Sequence, residues 1–162
     1  MGFVFRCLRC GECCRSLMAR EWSGLTLFPW EKHLFTGSKI YPYLGYGRSP
    51  RSPRFRVFLY RYVDPICEKL REDGCRIHET RPLACRSYPF RYTEVGTDRV
   101  IYEAAPECKS IRAANPEGTW AKFPELHCSE EIGYHLKQFH LMKEPKWRYD
   151  HLSEAWTPYS RM

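Results

Sequence analysis

No apolar run in this chain approaches the ~18 residues that a membrane-crossing helix needs, and the mean hydropathy is −0.57. No membrane association is expected. The opening residues MGFVFR hold no basic segment followed by an apolar core, so no signal peptide is read there and the chain is expected to be cytoplasmic. Internal repeats and low-complexity tracts are also missing. So are a Ser/His/Asp set, a phosphate-binding glycine loop and paired carboxylates, which leaves no recognisable catalytic machinery. His33, His135, His140 and His151 show no useful spacing; His135 and His140 lie five apart and do not share a helix face. Acid is scarce at one end. Residues 1–63 carry eleven Lys/Arg against three Asp/Glu, and Arg48 to Arg61 contains five arginines and no acid.

Cysteine, by contrast, is abundant: nine in 162 residues. In a reducing cytosol clustered thiols bind metal more often than they pair. Four of them stand in eight residues, Cys7-Leu-Arg-Cys10-Gly-Glu-Cys13-Cys14. Two-residue gaps let successive thiolates curl around one centre, as in zinc and iron–sulfur sites. Gly11 suits the left-handed backbone of such a loop. Cys67, Cys75, Cys85 and Cys108 follow, separated by seven, nine and twenty-two residues. Four and four make two complete sites, or one site with spare ligands, and leave Cys128 over as a buried small residue or stray thiol. Neighbouring side chains diverge, so Cys13 and Cys14 are expected to serve different centres, or one of them none.

Spacing does not choose the metal. Cys7-x2-Cys10-x2-Cys13 matches the start of a ferredoxin-type run without its nearby fourth ligand, and tetrahedral zinc explains the pattern equally well. A radical-SAM arrangement fails because no cysteine follows Cys10-x3-Cys14 at the required gap. A thioredoxin-like pair fails because no βαβ pattern surrounds it.

The rest of the chain reads as small, irregular α+β structure: a short antiparallel sheet and a few helices, stapled by cysteine-ligated metal. Arg15 to Arg20 could continue the cysteine loop as a short helix. Pro29 to Phe35 carries a helix start, with Pro29 in the first turn and Glu31 early. Ile40 to Pro53, rich in Pro, Gly, Ser and Arg, reads as an extended, partner-facing loop. Residues 54–63 alternate as a strand, and residues 90–95 and 99–104 as a hairpin around Gly96-Thr97-Asp98. Together they suggest one sheet of about three strands. Residues 106–127 read as irregular around one helical turn. Ser129, followed by Glu130 and Glu131, is placed as the N-cap of a helix over about 129–143. The tail, with Trp147, Trp156 and Tyr159, is packed by its aromatics or faces a partner. The expected organisation is a cysteine-cluster domain over 1–110 and a C-terminal extension over 111–162 packed on it.

Phe5-x-Cys7-x2-Cys10-Gly11-x-Cys13-Cys14-Arg15, followed by Cys67-x2-Leu70-x3-Gly74-Cys75-x-Ile77-x-Glu79-x-Arg81-Pro82-x2-Cys85-Arg86-x-Tyr88-Pro89-Phe90, resembles the YkgJ-type cysteine-cluster family, also described as a zinc- or iron-chelating CxxCxxCC domain. The resemblance covers about residues 3–108. It implies metal binding by the matching cysteines, Cys7, Cys10, Cys13, Cys14, Cys67, Cys75, Cys85 and Cys108, around zinc or an iron–sulfur cluster in one or two centres. A related cluster occurs in flagellin lysine-N-methylases, the ground for considering redox chemistry or support of a modification enzyme; no catalytic residue carries over. His78 stands where such proteins usually place tyrosine, so it is read as a packing position although Cys75-x2-His78 has zinc-pair spacing. Arg81 and Arg86 are read either as hydrogen-bond donors to thiolates or as ordinary ion pairs.

The net charge of +7 bears on partners. Each metal held by four thiolates is a unit of −2, so two filled sites bring the chain to about +3. That weakens a nucleic-acid partner. The alternative function is a metal-stapled interaction module that binds RNA or a protein partner through the basic segment 48–62.

Overall fold

Strand propensity concentrates in two places, and each builds its own sheet. In this computed structural model, which describes residues 5–15, 17, 24–95, 99–114 and 125–159, the chain is a small α+β protein that divides into two units. One takes residues 1–16 and 69–137, the other 17–68 and 138–162.

The second unit is a five-stranded antiparallel sheet in the order β1 (Leu25–Leu27), β3 (Arg56–Tyr62), β2 (Ile40–Tyr46), β8 (Lys146–Asp150) and β9 (Ala155–Pro158). β3 is the predicted strand. Its register sets Leu25 opposite Tyr62 on one side and Ile40 opposite Tyr62 on the other. Phe58, Tyr60 and Tyr62 share a face by strand periodicity. Phe58 stacks on Phe139 with ring centroids 4.5 Å apart, Lys32 lies over Tyr60, and Tyr62 meets Phe35 at 4.6 Å. Tyr62 and Phe139 are wholly buried.

The expected helix at Pro29 is a 3₁₀ helix over Pro29–Leu34. The buried Glu31 carboxylate accepts the Phe28 N–H at 2.8 Å, which satisfies a donor at the helix start.

The extended loop expected over 40–53 is instead β2 as far as Tyr46. Pro42 and Gly45, the residues that argued against a strand, are accommodated by irregularity. The register with β3 shifts between Pro42 and Leu44 and again between Leu44 and Gly45. A side chain on Gly45 would collide with the Phe55 ring, 2.4 Å from an ideal Cβ. The aromatic tail extends the same sheet. Trp147 pairs with Pro158, its indole N–H donates to the Gly47 carbonyl at 2.9 Å, and Trp156 packs on Phe55 and Tyr149.

The first unit holds α1 (Glu12–Arg15), the two-residue strands β4 (Leu70–Arg71) and β5 (Gly74–Cys75), α2 (Leu83–Ser87), the hairpin β6 (Phe90–Val95) and β7 (Arg99–Ala104), and α3 (Lys109–Ala114). The expected hairpin forms, with Phe90 opposite Ala104, but it pairs as a sheet separate from β3, so a single three-stranded sheet is not formed. Its turn at residues 96–98, the stretch 115–124 and the continuation of α1 toward Arg20 lie outside the described residues. Phe5, Phe90, Cys108 and Ile111 form the core of this unit, flanked by Tyr88, Ala104 and Leu126. Phe5 meets Phe90 edge-on at 5.9 Å.

The final helix, α4 (Leu126–Leu141), starts three residues before Ser129. Leu126 already packs on the Phe5–Phe90 core, so burial begins the helix a turn early. Ser129, 1% exposed, sits inside the first turn and is no cap. Among the described residues no helix is long and apolar enough to cross a membrane.

Candidate metal centre

The cysteine loop has the backbone that its glycine suggested. Arg9 and Gly11 adopt φ of +52° and +71°, turning the chain twice between Cys7 and Cys13. For arginine this left-handed conformation costs about 1–2 kcal/mol, which the surroundings must offset. The turn aims the Arg9 N–H at the Cys7 sulfur, 3.4 Å away. The Gly11 carbonyl then receives the N–H groups of Cys14 and Arg15, starting α1, and the Arg15 guanidinium folds back onto the Cys10 carbonyl at 2.9 Å. One turn of α1 parts the adjacent cysteines: Cys13 is exposed and Cys14 buried.

Downstream segments close on this loop through contacts distant in sequence. Gly74, with φ +112°, lies so near the loop that an ideal Cβ would stand 2.9 Å from the Arg9 carbonyl oxygen. At Gly11 it would stand 2.7 Å from Leu70 Cδ1. The β4–β5 hairpin that carries Cys75 is therefore fitted against Arg9 and Gly11. Ser110 Oγ accepts the Leu8 N–H at 3.2 Å and Lys109 pairs with Glu12 at 3.6 Å, which brings the start of α3, beside Cys108, to the same loop. Arg9 pairs with Glu79 at 3.0 Å.

The Cys7 thiol feels the charges of its neighbours in the loop. Crowding by surrounding atoms pushes the Cys7 thiol up, although the residue keeps exposed surface. The Arg9 N–H works against this, the Cys13 and Cys10 charges add to it, and the Arg81 charge opposes it. Arg81, nearly buried, binds Glu125 at 2.5 Å, and Arg86 reaches the other oxygen of the same carboxylate at 3.4 Å. The two arginines thus share one carboxylate, and the Arg81 charge also reaches Cys7. Glu125 gave no sign of this role in the sequence, since its partners lie 39 and 44 residues away.

The remaining candidates lie on other elements. Cys85 is half-buried on α2, and Cys108 is buried within the Phe5 core. Cys67 belongs to the other unit, in the loop where Tyr62 OH accepts the Glu68 N–H at 3.2 Å. Cys128 is fully buried, its sulfur 3.4 Å from His127 Nε2, and burial raises its pKa. His78 Nδ1 lies 3.0 Å from a Glu79 oxygen. All nine cysteines are thiols. Among the described residues no three His, Cys, Asp or Glu side chains converge closely enough to hold an ion.

The donor chemistry nevertheless suits a thiophilic metal. The N–H aimed at Cys7 favours a charged sulfur, against the crowding that raises its pKa. A family model for CxxCxxCC, a "putative zinc- or iron-chelating domain", matches residues 6–109. The chain belongs to the CxxCxxCC family. That membership makes it a metal-binding cysteine-cluster protein, and the CxxCxxCC match takes in all eight candidate cysteines and leaves Cys128 outside. No curated protein and no solved structure matches the chain.

Proposed function

We propose that the protein holds zinc or an iron–sulfur cluster with the cysteines of the N-terminal loop, Cys7, Cys10 and Cys13 or Cys14, completed by thiols from Cys67, Cys75, Cys85 and Cys108. The observation that carries this reading is the Arg9 N–H donated to Cys7 Sγ from a loop turned twice through positive φ. A bound cation would stabilise the Cys7 thiolate that crowding now disfavours. A four-thiolate zinc site without an open position would be structural, contributing on the order of 10 kcal/mol to folding. An iron–sulfur cluster would supply electron transfer or support a modification enzyme. Anaerobic purification with metal and labile-sulfide analysis tests this. Stoichiometric zinc or iron that is lost in C7S/C10S supports it, and no bound metal opposes it.

A second reading rests on a separate observation. Arg48, Arg51, Arg54 and Arg56 are all exposed on and beside the turn that joins β2 to β3. A basic turn of this kind would meet RNA or an acidic protein surface. Salt-dependent RNA binding lost in R51A/R54A/R56A would support it, and salt-independent or absent binding would count against it.

A further inference from the structure

The five-stranded sheet has two faces, and β3 contributes to both. Phe58, Tyr60 and Tyr62 point to the side where Phe28, Phe35 and Phe139 pack. Strand alternation puts Val57 and Arg61 on the other side. The register carries a set of aromatics onto that second side: Tyr41 lies opposite Arg61, Gly45 opposite both Val57 and Trp147, and Tyr149 opposite Trp156. Ring contacts agree with the register. The Arg61 guanidinium lies 3.6 Å over the Tyr43 ring, the Phe55 ring fills the space above Gly45, and Trp156 meets Phe55 at 4.8 Å and Tyr149 at 5.3 Å. All six rings, Tyr41, Tyr43, Phe55, Trp147, Tyr149 and Trp156, are half-buried and keep accessible surface.

The turn between β2 and β3 joins this face through Phe55. Arg54 and Arg56 flank Phe55 in the chain, and both are exposed, as are Arg48 and Arg51. Hydrogen bonds order the turn: the Ser52 N–H donates to the Ser49 carbonyl and the Phe55 N–H to the Ser52 carbonyl, each at 2.9 Å, while Arg56 donates to the carbonyls of Pro53 and Phe55. No Asp or Glu occurs between Glu31 and Asp64, so β2, the turn and β3 bring no carboxylate of their own to these guanidiniums. Guanidiniums bind phosphate and carboxylate alike. The rings decide between them, because flat aromatic surface favours a ligand that stacks. Only an unpaired strand offers phosphates together with open bases; a duplex keeps its bases inside and an acidic peptide has none.

We propose that this face binds single-stranded nucleic acid, with bases on the aromatic rings and phosphates at Arg48, Arg51, Arg54 and Arg56. This rests on the reading of the basic turn as a partner site and narrows its partner to an unpaired strand. The test titrates the reduced full chain, over a range of salt concentrations, with labelled single-stranded RNA of about twelve nucleotides, single-stranded DNA of the same sequence, the duplex of each, and polyglutamate. At least one single strand should bind about tenfold or more tighter than its duplex and than polyglutamate, and the tighter of the two strands names the source. Tyr41→Leu and Tyr149→Leu should each weaken that binding by about fivefold or more with its salt slope unchanged, whereas R51A/R54A/R56A should lower the slope by about two. A duplex or polyglutamate bound as tightly as the single strands overturns the inference and leaves the basic turn as a partner site, as do tyrosine variants that bind like wild type. Binding of none of the probes overturns the inference and the basic-turn reading together. The comparison among probes uses the wild-type chain and decides without any variant.

Discussion

Gly74→Ala isolates the contact that seats the β4–β5 hairpin on the cysteine loop. Gly74 has φ +112°, and its added methyl carbon would stand 2.9 Å from the Arg9 carbonyl oxygen and 3.3 Å from Arg9 Cβ. The nearest atom is backbone, so no side-chain rotation relieves the clash. An alanine forced to positive φ costs about 1–3 kcal/mol, and with the collision added the cost is at least the middle of that range, about 2 kcal/mol. Cys75 adjoins the substituted residue, and Cys7 and Cys10 flank Arg9, so the variant must move one set of thiols away from the other. Two kcal/mol corresponds to about a thirtyfold loss of metal affinity. Competition between the reduced full chain and a chromophoric zinc chelator measures it. Gly37→Ala is the control: Gly37 lacks positive φ and its Cβ would meet nothing within 4 Å. Equal zinc affinity for the Gly74 variant, the Gly37 variant and the wild type would refute the reasoning.

Other consequences follow from the rest of the molecule. Phe139→Ala removes a fully buried ring stacked on Phe58 and should cost about 3–5 kcal/mol; a urea midpoint unchanged from wild type would contradict the packing described. Stability should also fall at both ends of the pH range. Asp64, lowered chiefly by its hydrogen bond from Lys39, stabilises the fold above its ordinary value of 3.8, and this is lost as pH drops through its depressed value. Lys39 is raised chiefly by the same bond, and Tyr62 by burial, so their contribution is whole below about pH 10 and declines above it. Thermal melts across pH should show Lys39→Met less stable at neutral pH and with a shallower acid limb, because less of the Asp64 shift is left to lose; an acid limb as steep as wild type would disprove the Asp64 assignment.

What the sequence revealed of the fold was local in origin. The β6–β7 hairpin, β3 and the 3₁₀ helix at Pro29 depend on alternation, turn residues and capping within a few positions. β2 was hidden because Pro42 and Gly45 are tolerated for reasons lying elsewhere: a double register shift against β3, and a Phe55 ring that occupies the space of a side chain. Ser129 resembled a cap because serine before two glutamates is a common start signal. Leu126, anchored on a core built from Phe5 and Phe90, moved the start one turn earlier. The loop at Cys7 was legible from its spacing, and Gly11 does take the positive φ read for it. Its supports were not legible, since the bond from Leu8 to Ser110 spans 102 residues and Glu125 gathers Arg81 and Arg86 across about forty. Nor does a sequence show that one nitrogen of His78 is buried with no hydrogen-bond partner among the described residues.

The central claim is that the cysteine loop holds a metal, and the most direct test is metal content of the anaerobically purified full chain, read with its absorption spectrum. Zinc in a colourless protein, or iron and labile sulfide in a brown one, is expected, bound stoichiometrically and lost in C7S/C10S. A protein with neither metal, whose nine cysteines all react freely with a thiol reagent and whose thermal melt is unaffected by added zinc, would contradict it.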